Sequence, residues 1–408
     1  MKYGLIGKKL GHSFSKPIHE KIAGYTYEIK EIAEDKLDSF MRERAFSGIN
    51  VTIPYKSAVI PYLDYIDPIA EKIGAVNTIV NRDGKLYGYN TDFGGLSLLI
   101  KKSGFDLKNK KVLILGTGGT SKTANAVCDF LGAAEVVTVG RKSEINYENV
   151  YSFHGDADYV INTTPVGMYP DCESYPIDTQ KLSCLKGVAD VIYNPLKTVL
   201  CRKAENRGIK SINGLYMLVS QAVLACELFT GNKLDAEAVC DGVYNEILNE
   251  KRNIVLIGMP GCGKTTIGKA LSEITGKTFI DTDEVITEKY GNISEIIKGK
   301  GEPYFREIEA EQVKKVSMLS GCVIATGGGA VLKKENVDSL KQNGIIFFLN
   351  RPLCDIVPTE DRPLSQNYEA LKKRFEERYD IYVDSCDEEI SVDGDVMSSV
   401  NKILEKLK

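Results

Sequence analysis

Short apolar runs alternate with amphipathic helical patterns along almost the whole chain, the pattern of parallel sheets covered by helices. The predicted strands are rich in Val, Ile and Leu: Tyr3 to Ile6, Gly48 to Ile53, Lys111 to Leu115, Glu135 to Val139, Tyr159 to Asn162 and Gly187 to Ile192. After Glu250 the series restarts with Asn253 to Ile257, Phe279 to Ile280, Val323 to Ala325 and Ile345 to Leu349. Twice a strand runs straight into a glycine turn, at Gly116-Thr-Gly118-Gly119 and at Gly258-Met-Pro-Gly261-Cys262-Gly263-Lys264-Thr265-Thr266. Their glycine spacings differ, so they are two separate phosphate-binding openings rather than a repeat, and two nucleotide domains follow.

The expected organisation is a first domain over 1–100, completed by an apolar helix and a polar helix in 213–249. A dinucleotide domain over 101–212 and a second phosphate-binding domain over 253–408 complete it. Glu250-Lys251-Arg252 is the expected linker.

Length and composition narrow the class. A chain of 408 residues suggests two or three domains, and 43% hydrophobic with 26% charged residues is a globular composition. A net charge of −4 implies no basic face for nucleic acid. No apolar run approaches the ~20 residues of a membrane span. Lys8 and Lys9 come too early for a secretory apolar core. The ten cysteines are scattered without a CxxC pair or metal spacing, which predicts reduced, mostly buried thiols and a cytoplasmic setting. The partners expected are small molecules; oligomeric state leaves no mark on the sequence.

At the first glycine turn Ser121 stands where a GxGxxG fingerprint has its third glycine, and a ligand-free strand-to-helix turn is an equal alternative. The next predicted strand ends at Gly140-Arg141-Lys142, where an NAD site usually has a carboxylate for the ribose 2′-hydroxyl. Arg141 and Lys142 suit a 2′-phosphate, hence NADP(H), the alternative being a solvated basic pair. Candidate contacts are Gly116, Gly118, Gly119, Thr120, Arg141 and Lys142.

The second turn satisfies GxxxxGK[ST], follows a strand and opens a helix. Such a loop cradles phosphate with backbone N–H groups, its Lys264 reaches the β/γ oxygens, and its Thr265 holds Mg²⁺, so a nucleoside triphosphate and Mg²⁺ are expected. Gly258, Gly261, Cys262, Gly263 and Thr266 complete the candidate contacts. Asp281-Thr-Asp283 ends a predicted strand, which would set two carboxylates on one face near the metal.

In the first domain, Ser13 and Ser15 are two apart and face one way if the chain is extended there. Lys56 and Asp92, taken singly, suit a surface ion pair as well as a catalytic one. Taken together, HSFS, NVTIPYK, GAVNT, GYNTD, GTGGTSK, INTTPVGM, DVIYNPLKT and NGLYMLVSQA stand in an order that resembles shikimate dehydrogenase over the first 250 or so residues. That resemblance implies an α/β substrate domain plus a Rossmann-like NADP domain, and reduction of 3-dehydroshikimate to shikimate. It implies Lys56 and Asp92 as the catalytic pair. Ser13, Ser15, Thr52, Asn77, Asp92, Tyr193 and Gln221 would bind substrate, and Asn162, Thr163 and Met217 would line the nicotinamide end. The chain departs from the family at Lys16, which stands where Pro usually follows the second serine, and at Gly140, where Asn is usual.

After Asn253 the phosphate loop, Asp281-Thr-Asp283, Gly301-Glu302-Pro-Tyr-Phe305-Arg306-Glu-Ile-Glu309, Gly327-Gly328-Gly329, Asp361-Arg362-Pro363-Leu364 and Arg378, with Tyr382 one turn later, resemble shikimate kinase. That implies a P-loop domain with a parallel sheet that phosphorylates shikimate to shikimate 3-phosphate. Asp283 would hold ring hydroxyls and act as base, and Asp281 would meet the metal through water. Arg306 and Arg378 would fork onto the substrate carboxylate, and Gly328 and Gly329 would let backbone approach the ring. Arg362 would neutralise the transferring phosphoryl group. The stretch from Leu349 to Arg362 is shorter than usual, and Arg351 falls too early to match the family's adenine-stacking arginine. Other readings are a quinate-type polyol dehydrogenase joined to another small-molecule kinase, or a metabolite sensor on decayed domains. Against the sensor, Lys56, Asp92, Lys264, Thr265, Asp283 and Arg362 are all present.

Overall fold

The computed structural model describes residues 1–10, 14–356 and 368–407. Ser13 and Arg362 lie outside the described residues. The chain forms two compact units, Met1–Ile247 and Leu248–Lys408.

The first unit holds two sheets. One contains β1 (Tyr3–Gly7), β2 (Tyr27–Glu31), β3 (Gly48–Val51), β4 (Tyr65–Ile66), β5 (Thr78–Arg82) and β6 (Lys85–Tyr89), in the order β2-β1-β3-β5-β6-β4. It is mixed rather than parallel as expected, because β5 runs antiparallel to both β3 and β6. The reversal is local chemistry. Asp83 and Gly84 both take positive φ, 52° and 81°, in a two-residue hairpin between Arg82 and Lys85. The other sheet contains β7 (Lys111–Leu115), β8 (Glu135–Val139), β9 (Tyr159–Asn162), β10 (Gly187–Asp190) and β11 (Lys210–Ile212). It is parallel throughout, in the order β11-β10-β9-β7-β8.

The apolar helix is Leu215–Thr230, and it packs on helix Thr91–Ser103 of the first sheet's layer. Their close approach depends on Gly94 and Gly95. A Cβ at Gly95 would lie 2.9 Å from the Met217 carbonyl oxygen, and one at Gly94 would meet Leu224. Two small positions thus bring the start of helix Thr91–Ser103 beside Gln221.

The second unit has one parallel sheet of β12 (Asn253–Ile257), β13 (Thr278–Asp281), β14 (Cys322–Ala325), β15 (Gly344–Asn350) and β16 (Glu388–Ser391). Their order is β13-β14-β12-β15-β16. β12, β14 and most of β15 are buried on both faces, so they read as unbroken apolar runs. Glu250 and Lys251 are the last turn of helix Ala236–Lys251 and not a linker. The unit begins at Leu248, inside that helix, because Lys277 ties the helix end down. Its Nζ donates to the carbonyl oxygens of Asn249, Glu250 and Arg252, and burial pushes its pKa down to about 8. All ten cysteines are free, and seven are buried. Among the described residues no helix is long and apolar enough to cross a membrane.

Candidate functional sites

The first unit has a cavity of about 480 Å³ whose wall is built by strand ends. Val51 N donates to Asn77 O (2.8 Å), Val76 N to Lys56 O (2.8 Å) and Asn77 N to Tyr89 O (3.0 Å). These bonds gather the loop after β3, the start of β5 and the end of β6. Asn90 then caps helix Thr91–Ser103 by accepting from Phe93 N (3.1 Å), which sets Asp92 in the first turn. Lys56 Nζ donates to Asp92 Oδ2 at 2.6 Å. Their side chains are 21% and 12% exposed, so this is a half-buried pair in a cavity and not a surface bridge.

Ser15, Thr52, Asn77, Thr120, Tyr193, Met217 and Gln221 line the same cavity. Ser15 opens helix Ser15–Ala23, and Phe14 before it is helical (φ −84°, ψ −1°), so the extended geometry expected between the two serines does not hold there. Asn162 is not brought to this wall. It is fully buried, donates to Asp190 Oδ1 (3.0 Å) and accepts from Thr164 N (3.0 Å) and Thr164 Oγ1 (2.7 Å), so its amide is engaged inside the unit. Thr163 likewise donates to Leu115 O (2.6 Å) and sits under Gly116, supporting the glycine turn from behind.

Gly116 takes φ +108°, and a Cβ on it would lie 2.9 Å from Thr163 Oγ1. Gly118 and Gly119 face open space, with no atom within 4 Å of a built Cβ, at the start of helix Gly119–Phe130. Exposed N–H groups at a helix start and room before them suit a pyrophosphate. Arg141 and Lys142 are exposed at the end of β8. Gly140 before them packs against Ser143 and Thr117, which leaves no room for the side chain the family usually has. The residues present therefore fit NADP.

In the second unit, β12 ends in the phosphate loop, where Gly258, Gly261 and Gly263 take φ of 141°, 86° and 105°. Those left-handed values are open to glycine at little cost. Lys264 Nζ donates to Gly258 O (2.9 Å) and Met259 O (3.0 Å), bridging the loop, with the buried Cys262 Sγ 3.8 Å away. Thr265 Oγ1 donates to Asp281 Oδ2 (2.8 Å), and Asp281 Oδ1 accepts from Asp283 N (3.0 Å). Asp281 is the N-cap of helix Thr282–Tyr290, so a cap rather than strand alternation relates the two carboxylates. Helix geometry and not a pleated face sets their directions.

A cavity of about 440 Å³ opens here, lined among others by Lys264, Thr265, Thr266, Asp281, Asp283, Arg306, Glu309, Arg374 and Arg378. Asp283 Oδ1 is buried without a hydrogen-bond partner, as is Glu309 Oε1. Burial first, then the Asp281 and Glu309 charges, push the Asp283 carboxyl up to about 6. Arg306 donates to Glu302 Oε1 (2.8 Å) and Glu309 Oε2 (2.8 Å), and these carboxylates outweigh burial to raise its pKa. Arg378 Nη1 donates to Gly328 O (3.1 Å), and the Tyr382 hydroxyl donates to the same oxygen.

The Gly327–Gly329 loop is crowded by protein side chains. Added Cβ atoms would lie 2.6 Å from Asp283 Oδ1 at Gly327 and 2.8 Å from the Pro260 ring at Gly328, and would meet the Arg306 guanidinium at Gly329. The glycines make room for the site's own polar groups. Glu309, Arg374 and Arg351 also line the cavity, where the sequence motifs give them no role. For Glu309 the signal was present, since it stands three residues after Arg306 on one helix face.

A nucleotide-turn oxidoreductase unit followed by a P-loop phosphotransferase unit is the class that this fold and these cavities define. The family model for the shikimate dehydrogenase substrate binding domain matches residues 5–79, and that for shikimate kinase matches residues 260–408. The shikimate dehydrogenase (NADP(+)) of Clostridium perfringens is 34% identical over 265 residues, covering 60% of this chain and 97% of that protein. Among solved structures, a chorismate mutase/shikimate 5-dehydrogenase fusion protein from Clostridium acetobutylicum matches with TM-score 0.57 and 34% identity, over 60% of this chain and 96% of that one. Shikimate dehydrogenase 1 from Peptoclostridium difficile matches with TM-score 0.56 and 37% identity, over 60% and 98%. The chain belongs to the shikimate dehydrogenase family and carries a shikimate kinase domain in its C-terminal part. It is a bifunctional shikimate-pathway enzyme, an oxidoreductase and a phosphotransferase in one polypeptide.

Proposed function

We propose that the first unit reduces the ring ketone of 3-dehydroshikimate to shikimate with NADPH, and that the second phosphorylates shikimate to shikimate 3-phosphate with ATP. The observation that carries this reading is the Lys56–Asp92 pair, half-buried in a cavity that Thr120 of the nucleotide turn also lines. Gly116, Gly118, Gly119, Thr120, Arg141 and Lys142 would hold NADPH, which when bound would supply the hydride. The Lys56 ammonium stands where the ketone oxygen gathers negative charge, stabilises it and donates the proton, while Asp92 orients the ammonium and keeps it charged. Ser15 and Gln221 hold the carboxylate end, with Thr52, Asn77 and Tyr193 around the ring.

In the second unit the phosphate loop and Lys264 hold the ATP phosphates. Asp283 accepts the proton of the attacking hydroxyl, and Arg306 and Arg378 meet the substrate carboxylate. Thr265 would hold Mg²⁺ with its hydroxyl and Asp281 would meet the ion through water, and the bound ion would offset phosphate charge. One hydroxyl and one carboxylate suit an ion shared with phosphate and water, as Mg²⁺ prefers. The domains proposed are 1–100 with the helices of 213–249 for 3-dehydroshikimate, 101–212 for NADP and 253–408 for phosphorylation. Free thiols throughout support a cytoplasmic setting.

The test is a pair of assays on the purified chain. NADPH should form from NADP⁺ with shikimate, faster than NADH from NAD⁺, and ADP release from ATP should require shikimate. Turnover of quinate with none of shikimate would move the first unit to another polyol and end this reading.

A further inference from the structure

Tyr27 and Thr78 lie behind the dehydrogenase cavity and join Asn50, which lines it, in a chain of buried polar side chains with no assigned role. Tyr27 is fully buried on β2, its ring stacked on His19 with centroids 4.0 Å apart and planes at 6°. Its hydroxyl lies 2.6 Å from Asn50 Oδ1. Asn50 and Thr78 are cross-strand partners on β3 and β5, and Asn50 Nδ2 lies 3.0 Å from Thr78 Oγ1 and 3.3 Å from the Asn77 carbonyl oxygen. Thr78 Oγ1 lies 3.2 Å from Asn77 Oδ1, which also faces the Thr91 backbone N–H at 2.7 Å.

Donor and acceptor chemistry leaves this chain one direction. A backbone N–H only donates, so the Asn77 atom facing Thr91 N is its oxygen. A carbonyl only accepts, so the Asn50 atom facing Asn77 O is its nitrogen. Asn50 then turns its oxygen to Tyr27, whose hydroxyl must donate. Asn50 Nδ2 donates to Thr78 Oγ1, so the Thr78 proton passes onward. Thr78 and Thr91 Oγ1 are 3.0 Å apart, and Thr91 Oγ1 is 3.2 Å from Asn77 Oδ1. Whichever hydroxyl donates to the other, a proton ends on Asn77 Oδ1. With that oxygen occupied from behind, and one Nδ2 proton used on Thr91 Oγ1 (3.1 Å), Asn77 has a single N–H left for the cavity it lines.

We infer that Tyr27, Asn50 and Thr78 are positioning residues that lock the Asn77 amide with its N–H toward the substrate. This rests on Asn77 meeting substrate, as proposed above. Beside the Lys56 ammonium the cavity therefore offers a ring oxygen a donor-only contact in Asn77, and it offers an acceptor-only contact in the Asp92 carboxylate, which sorts each hydroxyl by orientation. Each bond of the chain also polarises the next, since all donate the same way. Tyr27 acts at a distance, through three other side chains.

The experiment is a double-mutant cycle in the full-length chain, with Tyr27→Phe, Asn77→Ala and the pair, each assayed for shikimate oxidation with NADP⁺. Tyr27→Phe should raise KM for shikimate about threefold to tenfold, the worth of one buried hydrogen bond, with kcat changed by less than about twofold. In the Asn77→Ala background the same substitution should change KM by less than about twofold. Thr78→Val removes a later link and should reproduce both results, which covers a Tyr27→Phe chain that folds poorly. An unchanged KM in the single variants overturns the inference, as does an equal rise in both backgrounds, which would mean a merely structural effect. A normal shikimate KM in Asn77→Ala alone would instead remove Asn77 from the site, and the inference with it.

Discussion

Lys56→Ala should lower kcat for ketone reduction by about 10³-fold or more while shikimate phosphorylation by the same molecules continues at the wild-type rate. The substitution removes the ammonium that lies 2.6 Å from the Asp92 carboxylate in the cavity. It takes away both the charge that stabilises the developing alkoxide and the proton that quenches it. General acid catalysis alone contributes about 10² to 10⁴, and a preorganised charge in a water-poor site adds to that. It also leaves the Asp92 carboxylate beside the reacting oxygen without its partner, where it repels the developing charge. The second unit serves as an internal control, because a folding defect confined to the first cannot be mistaken for loss of protein. Side-by-side measurement of NADPH oxidation and ADP release decides it. Turnover within about tenfold of wild type would remove Lys56 from the reaction.

Asp283→Asn should lower phosphorylation by about 10² to 10⁴, the range for loss of a general base, and should stabilise the second unit at the same time. The carboxyl is pushed up to about 6 by burial and by the charges of Asp281 and Glu309, and its Oδ1 has no hydrogen-bond partner. Because the fold binds this proton more tightly than the unfolded chain does, its stabilising contribution is full below the unfolded carboxylate pKa. That contribution is lost as pH rises through about 6. At pH 8 the wild-type unit therefore carries a buried charge that the amide variant lacks. Hydrogen exchange at β12 and β14 should be slower in Asp283→Asn than in wild type at pH 8, with the difference shrinking toward pH 4. Wild-type phosphorylation should itself fall as pH drops below about 6, when the base becomes protonated. Equal exchange rates at both pH values, or a variant with wild-type turnover, would contradict this account.

The parts of the molecule legible in sequence are those whose physics is local. The phosphate loop could be read because its glycines, lysine and threonine act on one ligand from consecutive positions, and its geometry follows the motif. Central strands such as Lys111–Leu115 and Asn253–Ile257 could be read because burial on both faces makes them continuous apolar runs. The edge strands β2, β4, β11 and β16 escaped, since a strand such as Tyr27–Glu31 buries one residue and exposes four. The antiparallel hairpin escaped although Asp83-Gly84 announced it, because apolar runs alone do not report direction. Asn162 was placed at the cofactor by resemblance, yet its side chain serves Asp190 and the turn. The Tyr27–Asn50–Thr78–Asn77 chain was beyond sequence reading, as only the pairing of β1, β2, β3 and β5 brings those residues together.

The most direct test of the central claim is one reaction mixture containing the full-length chain, 3-dehydroshikimate, NADPH, ATP and Mg²⁺, with products followed over time. One shikimate 3-phosphate should accumulate for each NADPH oxidised, with shikimate as the intermediate and ADP release dependent on NADPH. NADPH oxidation without shikimate 3-phosphate, or ADP release at full rate when NADPH is omitted, would contradict the claim that the two units carry out consecutive steps.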